Sequence, residues 1–305
     1  VSGFADEADA TADTVDARTG DGFETTVPDA TLLGAPKTAG VAASGTVWLV
    51  GAGPGDAGLL TVRGLRALEA ADVIVADRLG ARSVLDGLAA EGVHLRGEVI
   101  DVGKLPGHHA VPQDAINALL VREALAGRTV VRLKGGDPYV FGRGGEELFA
   151  CQEAGLDVRV VPGVTSAVSV PALAGIPLTH RGVATSFTVA TAHDQITSLS
   201  GGRDHTVVLL MGVGTLAHSA MTLARGERGA GCPVAIVEDG FGPRQRVTVG
   251  TLATIAAQAA ERGVRSPAVV VVGDVVRLSP HAPAALASFD LTFDPLAVPR
   301  KAPSL

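Results

Sequence analysis

The stretch from Val130 to Glu147, VVRLKGGDPYVFGRGGEE, constrains the fold more than any other part of the chain. Val130 to Leu133 reads as a buried strand. Gly135 and Gly136 form a turn in which backbone can approach a ligand that a Cβ would exclude. Asp137 brings a carboxylate to that turn, and Pro138 stiffens it. Arg143 to Gln152 then reads as a helix. A strand, a tight glycine turn and a helix form the unit with which open α/β sheets build a ligand crevice at their strand ends. Taken alone, Gly-Gly-Asp-Pro fits an ordinary surface turn equally well. Similar loops elsewhere in the chain tip the balance toward function.

The flanking pattern repeats that unit. Strands are expected at Val47–Val50, Val73–Ala76, Val99–Val102, Thr129–Leu133 and Val158–Val161. Helices are expected at Leu59–Glu69, Ser83–Ala90 and Gln113–Leu125, the last opened by Pro112. Repeated strand–helix alternation predicts a parallel five-stranded sheet. After a boundary near 162–179, a helix capped by Thr165 or Ser166 runs to Ala174. Strands follow at Ser186–Thr191, Val207–Met211, Val234–Val237, Arg246–Val249 and Ala268–Val272, with helices at Leu216–Arg225 and Leu252–Arg262. Two of these strands have no helix between them, so the second five-stranded sheet is expected to be mixed. The fold class is therefore α/β, with two α/β domains at 45–162 and 163–279.

Composition agrees. The 305 residues are 47% hydrophobic but only 3% aromatic, so aliphatic side chains build the core, as suits helix-covered parallel strands. The net charge of −7 comes largely from residues 1–44, where eight acids face Arg18 and Lys37. The remainder carries 24 acids against 23 bases. Segment 1–44 reads as a disordered acidic tail, and 280–305 as a Pro-rich tail. Cys151 and Cys232 lack metal-ligand spacing and read as core thiols of a reduced, cytoplasmic protein. Neither a membrane-spanning run nor a signal peptide is expected. Nucleic acid, membrane and metal are not expected partners.

GAGPGD at 51–56 follows the first strand but departs from the dinucleotide fingerprint. Asp56 stands where the third glycine belongs, and Pro54 removes an amide that would face a pyrophosphate. No Gly-Lys-Ser/Thr ending makes either glycine loop a P-loop. Such loops suit a ligand with an adenosine and no phosphate.

Nine motifs in order resemble those of uroporphyrinogen-III C-methyltransferases, in the tetrapyrrole (class III) methyltransferase superfamily. They are VWLVGAGPGDAGLLT (47–61), ADVIVADRL (71–79), VGK (102–104), AVPQDAIN (110–117), RLKGGDPYVFGRGGEE (132–147), VVPGVTSA (160–167), AGIPLTHRG (174–182), LLMGV (209–213) and PVAIVEDG (233–240). Asp239, where the family usually has Asn, is a departure, as are Leu105 and the Ala-His-Asp run at 192–194.

The resemblance implies two α/β domains with the active site in the cleft between them, S-adenosyl-L-methionine (SAM) bound there as methyl donor, S-adenosyl-L-homocysteine as product, and a homodimer. It implies SAM contacts at Pro54, Gly135, Gly136, Asp137, Val140, Thr165, Ser166, Met211 and Gly240. It points to Asp77 as base and Lys104 as acid. The implied substrate, uroporphyrinogen III, is an octacarboxylate, and Arg forks suit carboxylates. Candidates to hold it are Arg78, Arg132, Lys134, Arg143, His180 and Arg181, with Lys104 open to the same role. The expected reaction is methylation at two pyrrole carbons, C2 and C7, giving precorrin-2 for sirohaem or cobalamin biosynthesis. The alternatives are a methyltransferase acting on a later corrin precursor, a nicotinamide-dependent oxidoreductase, or a SAM-binding module without chemistry.

Overall fold

The computed structural model describes residues 44–78, 80–103, 111–192 and 196–287. Lys104, Leu105, His193, Asp194 and most of both expected tails lie outside the described residues.

The first half forms β1 (Thr46–Gly51), α1 (Val62–Glu69), β2 (Val73–Ala76), α2 (Ala81–Ala90), β3 (Glu98–Asp101), α3 (Gln113–Leu125), β4 (Val130–Lys134), α4 (Gly144–Glu153) and β5 (Asp157–Val161). All pairings in this sheet are parallel, in the order β3-β2-β4-β1-β5. Side chains alternate between its faces, so Val50, Ile74, Val131 and Leu133 pack against α1 and α2. Val47, Leu49, Val73, Val75 and Val130 pack against α3 and α4. Leu49 and Ile74 are fully buried, each contributing about 2 kcal/mol by removal from water.

Neighbouring strands β1 and β4 send the chain in opposite directions. After β1 it goes through α1 to β2, and after β4 it goes through α4 to β5. The carboxyl ends of β1 and β4 therefore flank a topological switch point, where open α/β sheets bind ligands.

The second half contains α5 (Ser166–Leu173), β6 (Ser186–Thr191), β7 (His205–Leu210), α6 (Leu216–Arg225), β8 (Pro233–Glu238), β9 (Arg246–Thr251), α7 (Ile255–Glu261), β10 (Ala268–Val272) and α8 (Ala284–Ala287). Its order is β6-β7-β10-β8-β9, with β6 and β7 parallel and the other pairs antiparallel. This is the mixed sheet expected from two strands without an intervening helix. Helix α5 packs on one face through Ala167, Val170 and Ala174. Helices α6 and α7 cover the other. Both sheets belong to one compact unit of the chain.

Three local expectations differ from the structure. The helix expected from Leu59 is broken in two, because Asp56 caps a short 3-10 turn at Ala57–Leu59 and Thr61 then caps α1. The helix expected from Leu252 starts at Ile255, because β9 extends to Thr251 and the Thr254 hydroxyl accepts the Thr251 N–H at 3.0 Å. Residues 280–287, expected in the Pro-rich tail, join the described fold. Arg277 Nη1 donates to the Leu286 carbonyl at 2.8 Å, and a Cβ on Gly175 would press on Pro280.

Candidate active site

The loops after β1, β2 and β4 converge at the switch point. Gly53 and Gly136 form an antiparallel bridge: Gly136 N–H donates to the Gly53 carbonyl at 2.7 Å, and Gly53 N–H to that of Gly136 at 3.1 Å. A Cβ on Gly80 would lie 3.3 Å from the Gly135 Cα and from the Gly53 oxygen. Pro54 is half-buried beside this junction. Gly136 has φ +68°, and a Cβ there would enter the space between its loop and the start of α5, 3.9 Å from the Thr165 Cα and the Ser166 nitrogen. The positive φ calls for glycine, and the missing Cβ leaves that space open.

Asp137 ties this floor together. Its Oδ1 accepts the Tyr139 N–H at 2.8 Å and its Oδ2 accepts the Gly163 N–H at 3.0 Å. The β4 turn is thereby joined to the end of β5, where Gly51 and Gly163 are packed backbone to backbone. Val140 is half-buried in the same turn, and its N–H donates to the Asp137 carbonyl at 3.3 Å. Burial and neighbouring Asp137 push the Tyr139 phenol above its ordinary pKa, so it stays neutral.

Helix α5 links this floor to the second sheet. Thr165 caps it, accepting the Ala167 N–H at 3.3 Å. A Cβ on Gly240, in the loop after β8, would collide with Val170 on the same helix. Val170 lies four residues beyond Ser166, about 6 Å along the axis. Strands β7 and β8 both run antiparallel to β10, so Met211 and Asp239 emerge at the same end of the sheet.

Backbone strain marks these loops. Among the described residues, Phe141, Arg143, Met211, Asp239 and Phe241 have positive φ without being glycine. All five follow the carboxyl ends of β4, β7 or β8. Such residues cost about 1–2 kcal/mol each and cluster at functional sites. Met211 and Phe141 are also half exposed, at 51% and 48%.

The cations expected to hold substrate divide into two groups. Arg132 and Lys134 are 2% and 3% exposed and belong to an internal ion network, not to a surface open to a polyanion. Every edge of the Arg132 fork is occupied. Nε donates to Glu147 Oε1 at 2.9 Å and Nη2 to Asp77 Oδ1 at 2.5 Å; Nη1 donates to the Val75 and Leu133 carbonyls. Lys134 Nζ donates to Glu147 Oε1 at 3.0 Å, and Gln113 Nε2 to the same oxygen at 3.2 Å. Burial, then the charge of Arg132, holds Lys134 below its ordinary pKa. The physical reason is strand alternation: residues 130, 132 and 134 face the layer of α3 and α4, where Glu147 is waiting.

The others are exposed. Arg143 forms a fork-to-fork pair with Glu146 at 2.7 and 2.8 Å. Arg78 adjoins Asp77, and the loop after β3 packs on it so closely that a Cβ on Gly103 would overlap its Cβ. His180 and Arg181 lie in the turn closed by the His180–Ala184 bridge, with His180 Nδ1 2.8 Å from the Arg181 carbonyl oxygen. Asp77 is about one-third exposed at the end of β2.

A sequence profile for Tetrapyrrole (Corrin/Porphyrin) Methylases matches residues 46–256. The chain belongs to this family. The methylase is 48% identical over 242 residues to the "S-adenosyl-L-methionine-dependent uroporphyrinogen III methyltransferase" of Methanosarcina barkeri, covering 77% of this chain and 93% of that protein. It is also 48% identical to the "Siroheme synthase" of Gluconobacter oxydans, covering 77% of this chain but only 50% of the relative. It thus spans about half the length of that longer protein. Among solved structures, uroporphyrin-III C-methyl transferase from Thermus thermophilus complexed with S-adenyl homocysteine is similar, with a TM-score of 0.65 at 40% identity. That match covers 77% of this chain and all of the other.

Residue reasoning overlooked Glu147 and Gln113 in the methylase. Two cations on a strand covered on both faces require a buried counter-charge, and that was the available signal.

Proposed function

We propose that this chain transfers methyl groups from SAM to two pyrrole carbons, C2 and C7, of uroporphyrinogen III, giving precorrin-2. The observation that carries this reading is the bridged glycine floor of Gly53 and Gly136 at a topological switch point, with Gly136 beside Thr165 and Ser166. The identity with the Methanosarcina barkeri protein supports the substrate and the donor.

SAM, when bound, supplies an electrophilic methyl group on sulfur. In this reading its adenosine and amino-acid portions contact Pro54, Gly135, Gly136, Asp137, Val140, Thr165, Ser166, Met211 and Gly240. The backbone N–H groups, hydroxyls and carboxylate of that set match its polar edges. Half-exposed Tyr139, Phe141 and Met211 offer apolar area to a flat macrocycle. Arg78, Arg143, His180 and Arg181 are the accessible cations for its carboxylates.

The enzyme's main work is alignment of attacking carbon, methyl and sulfur, an entropic gain. As the new C–C bond forms and the S–C bond breaks, the substrate becomes more acidic. Asp77 then takes a proton from the carbon framework at its carboxylate. Lys104 completes the reading as acid. The enzyme works as a cytoplasmic homodimer, and its product feeds sirohaem or cobalamin synthesis. Incubation of uroporphyrinogen III with methyl-labelled SAM tests the assignment: two labelled methyl groups per macrocycle are expected, and an unlabelled macrocycle rejects it.

A further inference from the structure

Glu147 is 0% exposed, in the first turn of α4, and its Oε1 gathers hydrogen bonds from Arg132, Lys134 and Gln113. Its Oε2 is buried without a hydrogen-bond partner. A buried carboxylate so arranged is expensive for packing alone, because hydrophobic replacements of buried ion clusters are often neutral or stabilising. The cluster leads to one partly exposed group: Arg132 donates through Nε to Glu147 and through Nη2 to Asp77.

We propose that Glu147 is a positioning residue that acts through Arg132 to orient the Asp77 carboxylate and to set the charge balance for its proton uptake and release. The inference rests on the reading of Asp77 as the base. Arg132 and Lys134 carry two positive charges; Glu147 and ionised Asp77 carry two negative ones. Proton uptake from substrate neutralises Asp77 and leaves one buried positive charge in excess. That imbalance drives the proton on to water and restores the carboxylate before a second methylation. Charged groups on the surrounding elements are Arg78 beside Asp77, Asp101 at the end of β3, Asp114 in the first turn of α3, and the Arg143–Glu146 pair at the start of α4. They are more exposed than the Glu147–Arg132–Lys134 core, so solvent screens them more.

The test is the pH dependence of kcat/KM for uroporphyrinogen III, whose acid limb reports the free enzyme's base. Glu147→Gln removes one negative charge and leaves Arg132 and Lys134 without their shared counter-charge beside Asp77. The acid limb should move down by about 0.5–1 pH unit. The plateau kcat should fall about tenfold or more with KM changed less than about threefold, while binding of S-adenosylhomocysteine persists. Lys134→Gln removes a positive charge from the same network and should move the limb up. That opposite sign is not expected of a structural role. Limbs unmoved in both variants, with Asp77→Asn inactive, would overturn the inference and leave the base reading standing. If Asp77→Asn retains turnover and the limb, the base reading falls first and takes this one with it. Should Glu147→Gln fail to fold, Lys134→Gln decides the matter alone.

Discussion

Asp137 Oδ2 accepts the backbone N–H of Gly163 at 3.0 Å, across 26 residues of sequence. One side chain thereby joins the turn after β4 to the turn after β5, and its other oxygen holds Tyr139. Asp137→Ala leaves both N–H groups without that acceptor. We expect a loss of about 2–3 kcal/mol in urea unfolding, from two hydrogen bonds to a charged group in a half-buried setting. Asp137→Asn keeps a carbonyl acceptor and should recover part of that stability. If the charge also meets the ligand, Asn will not recover affinity for S-adenosylhomocysteine in calorimetry.

Gly136 and Gly92 separate backbone strain from ligand space. Both have positive φ, +68° and +83°, but a Cβ on Gly92 meets nothing within 4 Å. Alanine at either position should cost about 1–2 kcal/mol of stability. Only Gly136→Ala should lose S-adenosylhomocysteine affinity, by about tenfold or more, roughly 1.4 kcal/mol. Equal affinity in the two variants would remove Gly136 from the site.

Glu238 and Arg246 predict an acid-sensitive contribution to stability. Burial alone would push the Glu238 carboxyl up. The Arg246 fork at 2.7 and 2.8 Å, with the Arg265 N–H, more than offsets this and holds it below the usual carboxylate range. With the folded pKa below the unfolded one, the stabilisation is present above the unfolded value, about 4.3. It is lost as pH falls through the folded value. Arg246→Ala should lower stability at pH 7, by less than the loss of a fully buried pair because Arg246 is 40% exposed. Urea midpoints of wild type and variant should converge as Glu238 becomes protonated in both.

The two cysteines should be silent in the native protein. Both are fully buried, and burial pushes each thiol up to about 11. The thiolate is the reactive form. Ellman's reagent at pH 8 should therefore report about zero thiols before denaturation and two after it, since the chain holds two cysteines. A fast native reaction would mean that the core around Cys151 or Cys232 opens readily.

The order of strands and helices was legible from periodicity and turn chemistry. Val73–Ala76, Gln113–Leu125, Ser186–Thr191, Leu216–Arg225 and Ala268–Val272 match the structure to the residue. The position of the glycine turns after strands followed from the same local rules. Local hydrogen bonding decided the smaller differences, as where Asp56 and Thr61 divide one expected helix into two capped pieces.

What the chain by itself determined, then, is where backbone bends tightly and which residues alternate across each strand. It left open what covers each face of β4. Residues 130, 132 and 134 share a side whichever way the strand is turned. Only the packing of α3 and α4 against that side makes Arg132 and Lys134 internal ions rather than open cations, with Glu147 as their shared partner and Gln113 donating to the same carboxylate. Charge is recognised by its surroundings, and those surroundings come from segments 13 to 34 residues apart that folding brings within 3.2 Å.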